Sequence, residues 1–140
     1  MKKIVFVCLG NICRSPMAEF VMKSLTDQLE IESRATSSWE HGNPIHRGTQ
    51  AIFKKYAIAY DRNKTSHQIL AADFADFDYI IGMDESNVRD LKRIAPEDFQ
   101  HKIYQFEEES VPDPWYTGDF DQTYDLVLAG CKKWLERLDG

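Results

Sequence analysis

Residues 7–16, VCLGNICRSP, end an apolar run in Cys8 and place Arg14 after five intervening residues. That spacing alone is a weak signal, and its surroundings give it weight. The run from Lys3 to Cys8 reads as a buried strand, and Ser15-Pro16 opens a helical pattern. A loop between a strand end and a helix start aims backbone N–H groups and the positive end of the helix dipole at one point. Gly10 and Asn11 are residue types that tolerate the positive φ such a turn needs, and a guanidinium such as Arg14 can grip two phosphate oxygens at once. Beneath a bound anion Cys8 should ionise readily, because amides, dipole and guanidinium all favour the thiolate, which is the nucleophilic form. Ser15 can hydrogen-bond that sulfur and ease its later departure.

The elements that must position this loop follow from periodicity. Lys3 to Cys8 is too uniformly apolar to be half exposed and suits a central parallel strand. Met17, Phe20, Val21, Leu25 and Leu29 fall three or four apart and predict a helix behind Pro16. A second strand is expected over Arg34 to Trp39, and a helix from Asn43-Pro44 through Ile52, Phe53 and Tyr56. Next come a short helix or turn near His67 to Phe74 and a strand over Phe77 to Met83. Glu85 to Ile94 has helical spacing and Pro96 ends it; His101 to Phe106 is the fourth strand candidate. A polar loop, Glu107 to Gly118, precedes an amphipathic helix with Tyr124, Val127, Leu128, Cys131, Trp134, Leu135 and Leu138 on its buried face. Alternation of this kind predicts an α/β fold, a parallel sheet covered by helices on both sides, with ligands at the strand C-termini.

With 140 residues, 43% hydrophobic and 29% charged, the chain suits one globular domain, residues 1–140, without repeat or linker. A net charge of −6 disfavours nucleic acid and anionic membranes as partners. The apolar start stops at Gly10-Asn11, too soon for a leader or a membrane span, and three cysteines make no disulfide framework. The expected compartment is the cytoplasm, with leaderless export left open. His41, His46, His67 and His101 have no metal-ligand spacing, and Asp119-x-Asp121-x-Thr123-x-Asp125 lacks both the glycine and the glutamate of a calcium loop. No metal and no cofactor is expected. Cys131 reads as a core residue.

Cys8-Leu9-Gly10-Asn11-Ile12-Cys13-Arg14-Ser15-Pro16 resembles the phosphate-binding loop of the low-molecular-weight protein tyrosine phosphatases. Ala35-Thr36-Ser37, Gly42-Asn43-Pro44, Arg47-Gly48, Asp73-Phe74, Phe77-Asp78-Tyr79-Ile80, Met83-Asp84-Glu85-Ser86-Asn87 and Asp113-Pro114-Trp115-Tyr116 match family blocks in the same order. The resemblance implies a three-layer α/β sandwich of the phosphatase I type, with a four-stranded parallel sheet. It implies that Cys8 forms a cysteinyl-phosphate, that Arg14 and the loop amides from Leu9 to Ser15 hold the phosphoryl oxygens, and that Asp113 is general acid and then base. By the same resemblance Asn11, Ser15, Ser37 and Asp84 brace the loop, and Trp115 and Tyr116 form an aromatic wall. Trp39 is a candidate for the opposite wall, with simple packing the equal alternative. Asp84 also suits a helix N-cap, and Asp113 between two prolines also suits a plain turn. Cys13 lies where family members can form a reversible disulfide with the nucleophile; small apolar support is the alternative.

The expected partners are a phosphotyrosine-containing protein and inorganic phosphate or other oxyanion inhibitors. Two further readings stay open beside phosphotyrosine hydrolysis. A protein arginine phosphatase resembles the same family, but that branch tends to carry threonine at the position of Ile12 and to lack the aromatic pair. A non-catalytic phosphate-binding module would have lost Cys8 or Asp113, and both are present. An arsenate reductase needs a cysteine relay that is missing near Gly82 to Arg89, and neither dinucleotide nor P-loop glycine motifs occur.

Overall fold

The structure, a computed structural model, describes residues 1–139. Its central strand, β1 (Lys2–Cys8), is apolar and buried from Ile4 onward because both of its faces are covered there. Ile4, Phe6 and Cys8 enter one core layer, and Val5 and Val7 enter the other. β1 pairs in parallel with β2 (Leu29–Ala35) on one side and β3 (Tyr79–Gly82) on the other, and β4 (Ile103–Gln105) lies beyond β3. Cys8 stands opposite Ala35, and Val7 opposite Gly82, so three strand ends finish level.

Helices cover both faces. α1 (Arg14–Leu25), α2 (Arg47–Lys55) and α6 (Phe120–Asp139) share the layer of Phe6 and Cys8. α3 (Ala71–Asp76) and α4 (Glu85–Ile94) share the layer of Val5 and Val7 through Phe74 and Leu91. The single turn α5 (Pro114–Thr117) precedes α6. The architecture is the expected three-layer α/β sandwich. With the order β2-β1-β3-β4, the chain leaves β1 toward one neighbour while β3 flanks it on the other side, which opens a crevice beyond Cys8. Among the described residues no helix is long and apolar enough to cross a membrane.

Several boundaries differ from the sequence reading. α1 stops at Leu25, 38% exposed, where Thr26 turns extended at φ −155°, and Leu29 opens β2 instead of closing the helix. The second strand is Leu29–Ala35, not Arg34 to Trp39. Ile31, Ser33 and Ala35 point inward and Glu30 and Glu32 outward, and this small, polar alternation on an edge strand hides it. α2 begins at Arg47 rather than Asn43, because Pro44 is held in a bridge to Thr65. Gln68 pairs with Ala35, which delays α3 to Ala71. The strand expected over Phe77 to Met83 is the shorter β3. A 3₁₀ turn over Glu97–Lys102 replaces the expected start of the fourth strand at His101. On α6, Tyr124, Val127, Cys131 and Trp134 are buried, while Leu128, Leu135 and Leu138 are only partly so.

α2 closes with two carbonyl contacts, Ile58 N–H to Phe53 O at 2.8 Å and Ala57 N–H to Lys54 O at 3.4 Å. This closure puts Ala57 at φ 55°, a conformation that costs an L-residue with a Cβ about 1–2 kcal/mol. Ala57→Gly is expected to stabilise the fold by about 0.5–1 kcal/mol, read as a raised melting temperature. A lowered one would contradict this account of the turn.

Candidate active site

Residues 8–15 turn from β1 into α1 with their carbonyls facing outward. Cys8 O accepts from Thr36 N at 2.9 Å, and Leu9 O from Ser37 Oγ at 2.8 Å. Gly10 O accepts from Ser66 Oγ at 2.7 Å, Ile12 O from His46 N at 2.8 Å and Cys13 O from Thr49 Oγ1 at 3.2 Å. Amides alternate with carbonyls in direction, so the N–H groups turn the other way; those of Gly10, Ile12, Cys13 and Arg14 have no acceptor among the described residues. Cys13 caps α1 without a side-chain hydrogen bond, which leaves the helix dipole open toward the same point.

Asn11 makes the turn at φ 57°. Gly10 does not adopt the positive φ expected of it; a Cβ there would lie 3.3 Å from Glu40 Cγ, so that side chain would have to shift by a few tenths of an ångström. Asn11 N donates to Cys8 Sγ at 3.3 Å, and Ser15 Oγ stands 3.0 Å from the same sulfur. The Asn11 side chain braces the loop from below. Its Nδ2 donates to Ser15 Oγ and Ser33 Oγ, and its Oδ1 accepts from His67 N.

Arg14 is 3% exposed, so its charge has to be met inside the protein. Its Nη1 donates to Asp84 Oδ2 at 2.6 Å and to Val111 O at 2.9 Å, and its Nη2 lies 3.4 Å from Asp113 Oδ2. Burial works against the guanidinium charge, but Cys8, Asp84 and Asp113 outweigh it and raise the group above its ordinary value. Burial likewise opposes charge on Asp84, yet Arg14, with Asn87 N–H and Ser86 Oγ, brings the carboxyl below 3.8. Asp84 Oδ1 caps α4 by accepting from Asn87 N at 2.7 Å, while its Oδ2 accepts from Arg14 Nη1. Asp113 also caps a helix, since its Oδ1 accepts from Trp115 N at 3.0 Å and Pro114 occupies the first turn of α5. Burial, then the neighbouring Cys8, pushes the Cys13 thiol well up, and burial does the same to Cys131.

One pocket collects Cys8, Leu9, Gly10, Ile12, Cys13, Arg14, Trp39, Asp113, Trp115 and Tyr116. Trp39, Trp115 and Tyr116, 78%, 56% and 79% exposed, lie on the rim of the pocket, and Cys8, Ile12, Cys13 and Arg14 are buried in it. Asn11, Ser15, Ser37 and Asp84 lie behind that buried group and hold it in place. Sequence reasoning missed Glu40 on the rim, Ser33, Ser66 and Thr49 behind the loop, and the backbone groups of His67 and Val111. Only the side chains could have left a signal, and a serine or threonine inside a strand, in a loop or in a first helical turn carries almost none. Among the described residues no cluster of three ligand side chains could hold a metal ion.

A family model described as low molecular weight phosphotyrosine protein phosphatase matches residues 3–140. The low molecular weight protein-tyrosine-phosphatase PtpA of Staphylococcus aureus is 46% identical over 141 residues, covering 94% of this chain and 90% of the relative. The crystal structure of SP-PTP, a low molecular weight protein tyrosine phosphatase from Streptococcus pyogenes, is 63% identical. It superposes with a TM-score of 0.97 over 99% of this chain and 93% of its own. A Drosophila arginine phosphatase, DARP, is 31% identical, with a TM-score of 0.89 over 100% and 99% of the two chains.

The Arg14–Asp84 pair carries a pH signature. The folded Asp84 carboxyl titrates below its unfolded value, so its contribution to stability is complete above about pH 4 and is lost as the pH falls through the folded value. Asp84→Asn is therefore expected to lower stability at pH 7, and the gap from the parent should narrow below pH 4 in denaturant titrations. A gap that is unchanged or widens on acidification would contradict the pairing.

Proposed function

The chain belongs to the low molecular weight phosphotyrosine protein phosphatase family, and from that membership we propose that it hydrolyses phosphotyrosine in proteins through a cysteinyl-phosphate. The observation that carries the reading is the sulfur of Cys8. It lines the pocket on a buried residue, beside the Asn11 N–H and the Ser15 hydroxyl, with Arg14 and Asp113 lining the same space.

The Cys8 thiolate attacks phosphorus, and the bond to the aryl oxygen breaks as Asp113 gives that oxygen its proton. Arg14 and the inward N–H groups hold the equatorial oxygens while charge redistributes. Asp113, now a carboxylate, takes a proton from water, which attacks phosphorus and releases the Cys8 sulfur with inorganic phosphate. Ser15 donates to the departing sulfur. Trp39, Trp115 and Tyr116 give a flat phenyl ring apolar surface and set the depth at which its phosphate meets Cys8, a depth that suits an aryl ester better than a short alkyl one. The partner is accordingly a phosphotyrosine-containing protein, and inorganic phosphate or another oxyanion should compete for the loop. Cys13 is proposed to capture an oxidised Cys8 as a disulfide. The chain acts as one catalytic unit.

Phosphoarginine hydrolysis is a second reading with one specific observation behind it. Glu40 puts a carboxylate on the pocket rim, where the guanidinium of a phosphoarginine leaving group would find a counter-charge. Ile12 and the three aromatic rings favour the aryl ester.

Phosphate release from matched phosphotyrosine and phosphoarginine peptides, in chelator, decides between them. Faster release from phosphotyrosine is expected, with none above background for Cys8→Ser. The pH profile should be bell-shaped with an acidic optimum, and Asp113→Asn should lower kcat by about 10²-fold or more. Phosphoarginine preference would replace the substrate and keep the chemistry; parental turnover by Cys8→Ser would remove the chemistry altogether.

A further inference from the structure

Trp115 is half exposed and stands on α5, a single turn, so its own element does little to hold its ring. Among the described residues its one aromatic neighbour is His46, which it meets edge to face, 5.6 Å between centroids and 79° between planes. The same imidazole stacks on Phe120, 5.1 Å away at 17°. Phe120 opens α6 and is seated on Gly48, where an added Cβ would lie 2.5 Å from its Cζ. One imidazole therefore joins α5 and the start of α6 to the first turn of α2.

That imidazole is itself fixed. His46 caps α2, its Nδ1 accepting from Gly48 N at 2.9 Å, which sets the edge of the ring that faces the helix and places the ring proton on Nε2. Its carbonyl accepts from Gln50 N at 3.0 Å, and its backbone N–H donates to Ile12 O at 2.8 Å. Ile12 belongs to the phosphate loop and lines the same pocket as Trp115. The loop and the indole thus meet at one residue, the loop through the His46 backbone and the indole through the His46 ring.

We propose that His46 is a positioning residue for substrate selection: its ring, held by the first turn of α2, keeps Trp115 at the height above the phosphate loop at which an aryl group can lie against the indole. The inference rests on the reading that Trp115 gives the aryl ring of the substrate its apolar surface. A phosphate without an aryl group meets only the loop, so the His46 ring should matter to aromatic ligands and not to inorganic phosphate. The two roles of the side chain separate by substitution. His46→Asn keeps a capping oxygen for Gly48 N and removes the ring, whereas His46→Phe keeps a ring and removes the cap.

The test compares the inhibition constants of benzylphosphonate and inorganic phosphate, with kcat and KM for a phosphotyrosine peptide, all at one pH. His46→Asn is expected to weaken benzylphosphonate about 3–10-fold, the worth of one aromatic pair, and to raise KM by a similar factor while phosphate inhibition and kcat stay parental. His46→Phe should melt at a lower temperature yet bind benzylphosphonate as the parent does. Trp115→Ala should lose aryl affinity likewise, and adding His46→Asn to it should cost nothing more. If His46→Asn does not fold, Phe120→Leu, which removes the other ring that His46 stacks on and leaves the cap, carries the test with the same expected loss. Parental benzylphosphonate binding by His46→Asn, beside weakened binding by Trp115→Ala, would overturn the proposal and leave the aryl site standing. Equal weakening of both ligands, losses that add in the double variant, or a His46→Phe variant that loses as much as His46→Asn would overturn it too. If Trp115→Ala itself binds benzylphosphonate like the parent, the aryl reading of Trp115 fails, and the proposal with it.

Discussion

A backbone that turns several successive N–H groups inward must send its carbonyls outward, and each buried carbonyl needs a donor. This constraint organises the catalytic end of the molecule. The donors come from chain segments far apart in sequence: Thr36 and Ser37 after β2, His46 and Thr49 at the start of α2, and Ser66 in the stretch that pairs with the end of β2. The anion cradle is therefore local in sequence but assembled by the whole fold. It can form only when β1, β2 and α2 are docked, which ties the chemistry to the packing of Phe6, Phe20 and Phe53 beneath it.

The second organising requirement is the buried guanidinium. Arg14 sits at the first position of α1, and its partners arrive from the end of β3 through Asp84 and from the loop beyond β4 through Val111 and Asp113. A charge that is 3% exposed thus draws three strand-following loops to one point. Breaking one of these contacts leaves charge unpaired in a poorly solvated place, which is costly. Asp84 and Asp113 both serve as helix caps, so the geometry that terminates α4 and α5 also aims the carboxylates. Capping and the contact with Arg14 use different oxygens of the same groups.

How much of this was legible depends on whether a role leaves a mark on residue type. β1 was readable because burial on both faces demands an unbroken apolar run, and α4 because Asp84 and Pro96 punctuate it. β2 was misplaced because Glu30, Glu32 and Ser33 break the hydrophobic pattern, and Ser33 is polar for a reason that lies outside the strand, its place beneath Asn11. Cys8, Arg14 and Asp113, proposed as nucleophile, phosphate clamp and acid, stood out in the sequence because few residue types can do that work. The loop's outward partners were not, since any nearby N–H or hydroxyl can satisfy a carbonyl and several of the donors, those of Thr36, Ser37 and His46 among them, are backbone. Glu40 was overlooked for the opposite reason: a glutamate in a polar turn is ordinary until the fold places it on the rim.

The central claim is that the inward-facing loop holds a phosphoryl group on the sulfur of Cys8. It is tested most directly by rapid quench of Asp113→Asn during turnover of an aryl phosphate with a good leaving group, followed by peptide mapping. Loss of the base slows hydrolysis of the intermediate more than its formation when the leaving group needs no proton. The account predicts stoichiometric phosphate on the peptide carrying Cys8, and none when Cys8 is serine. Phosphate on another residue, or none at any time while aryl alcohol is released, would contradict it.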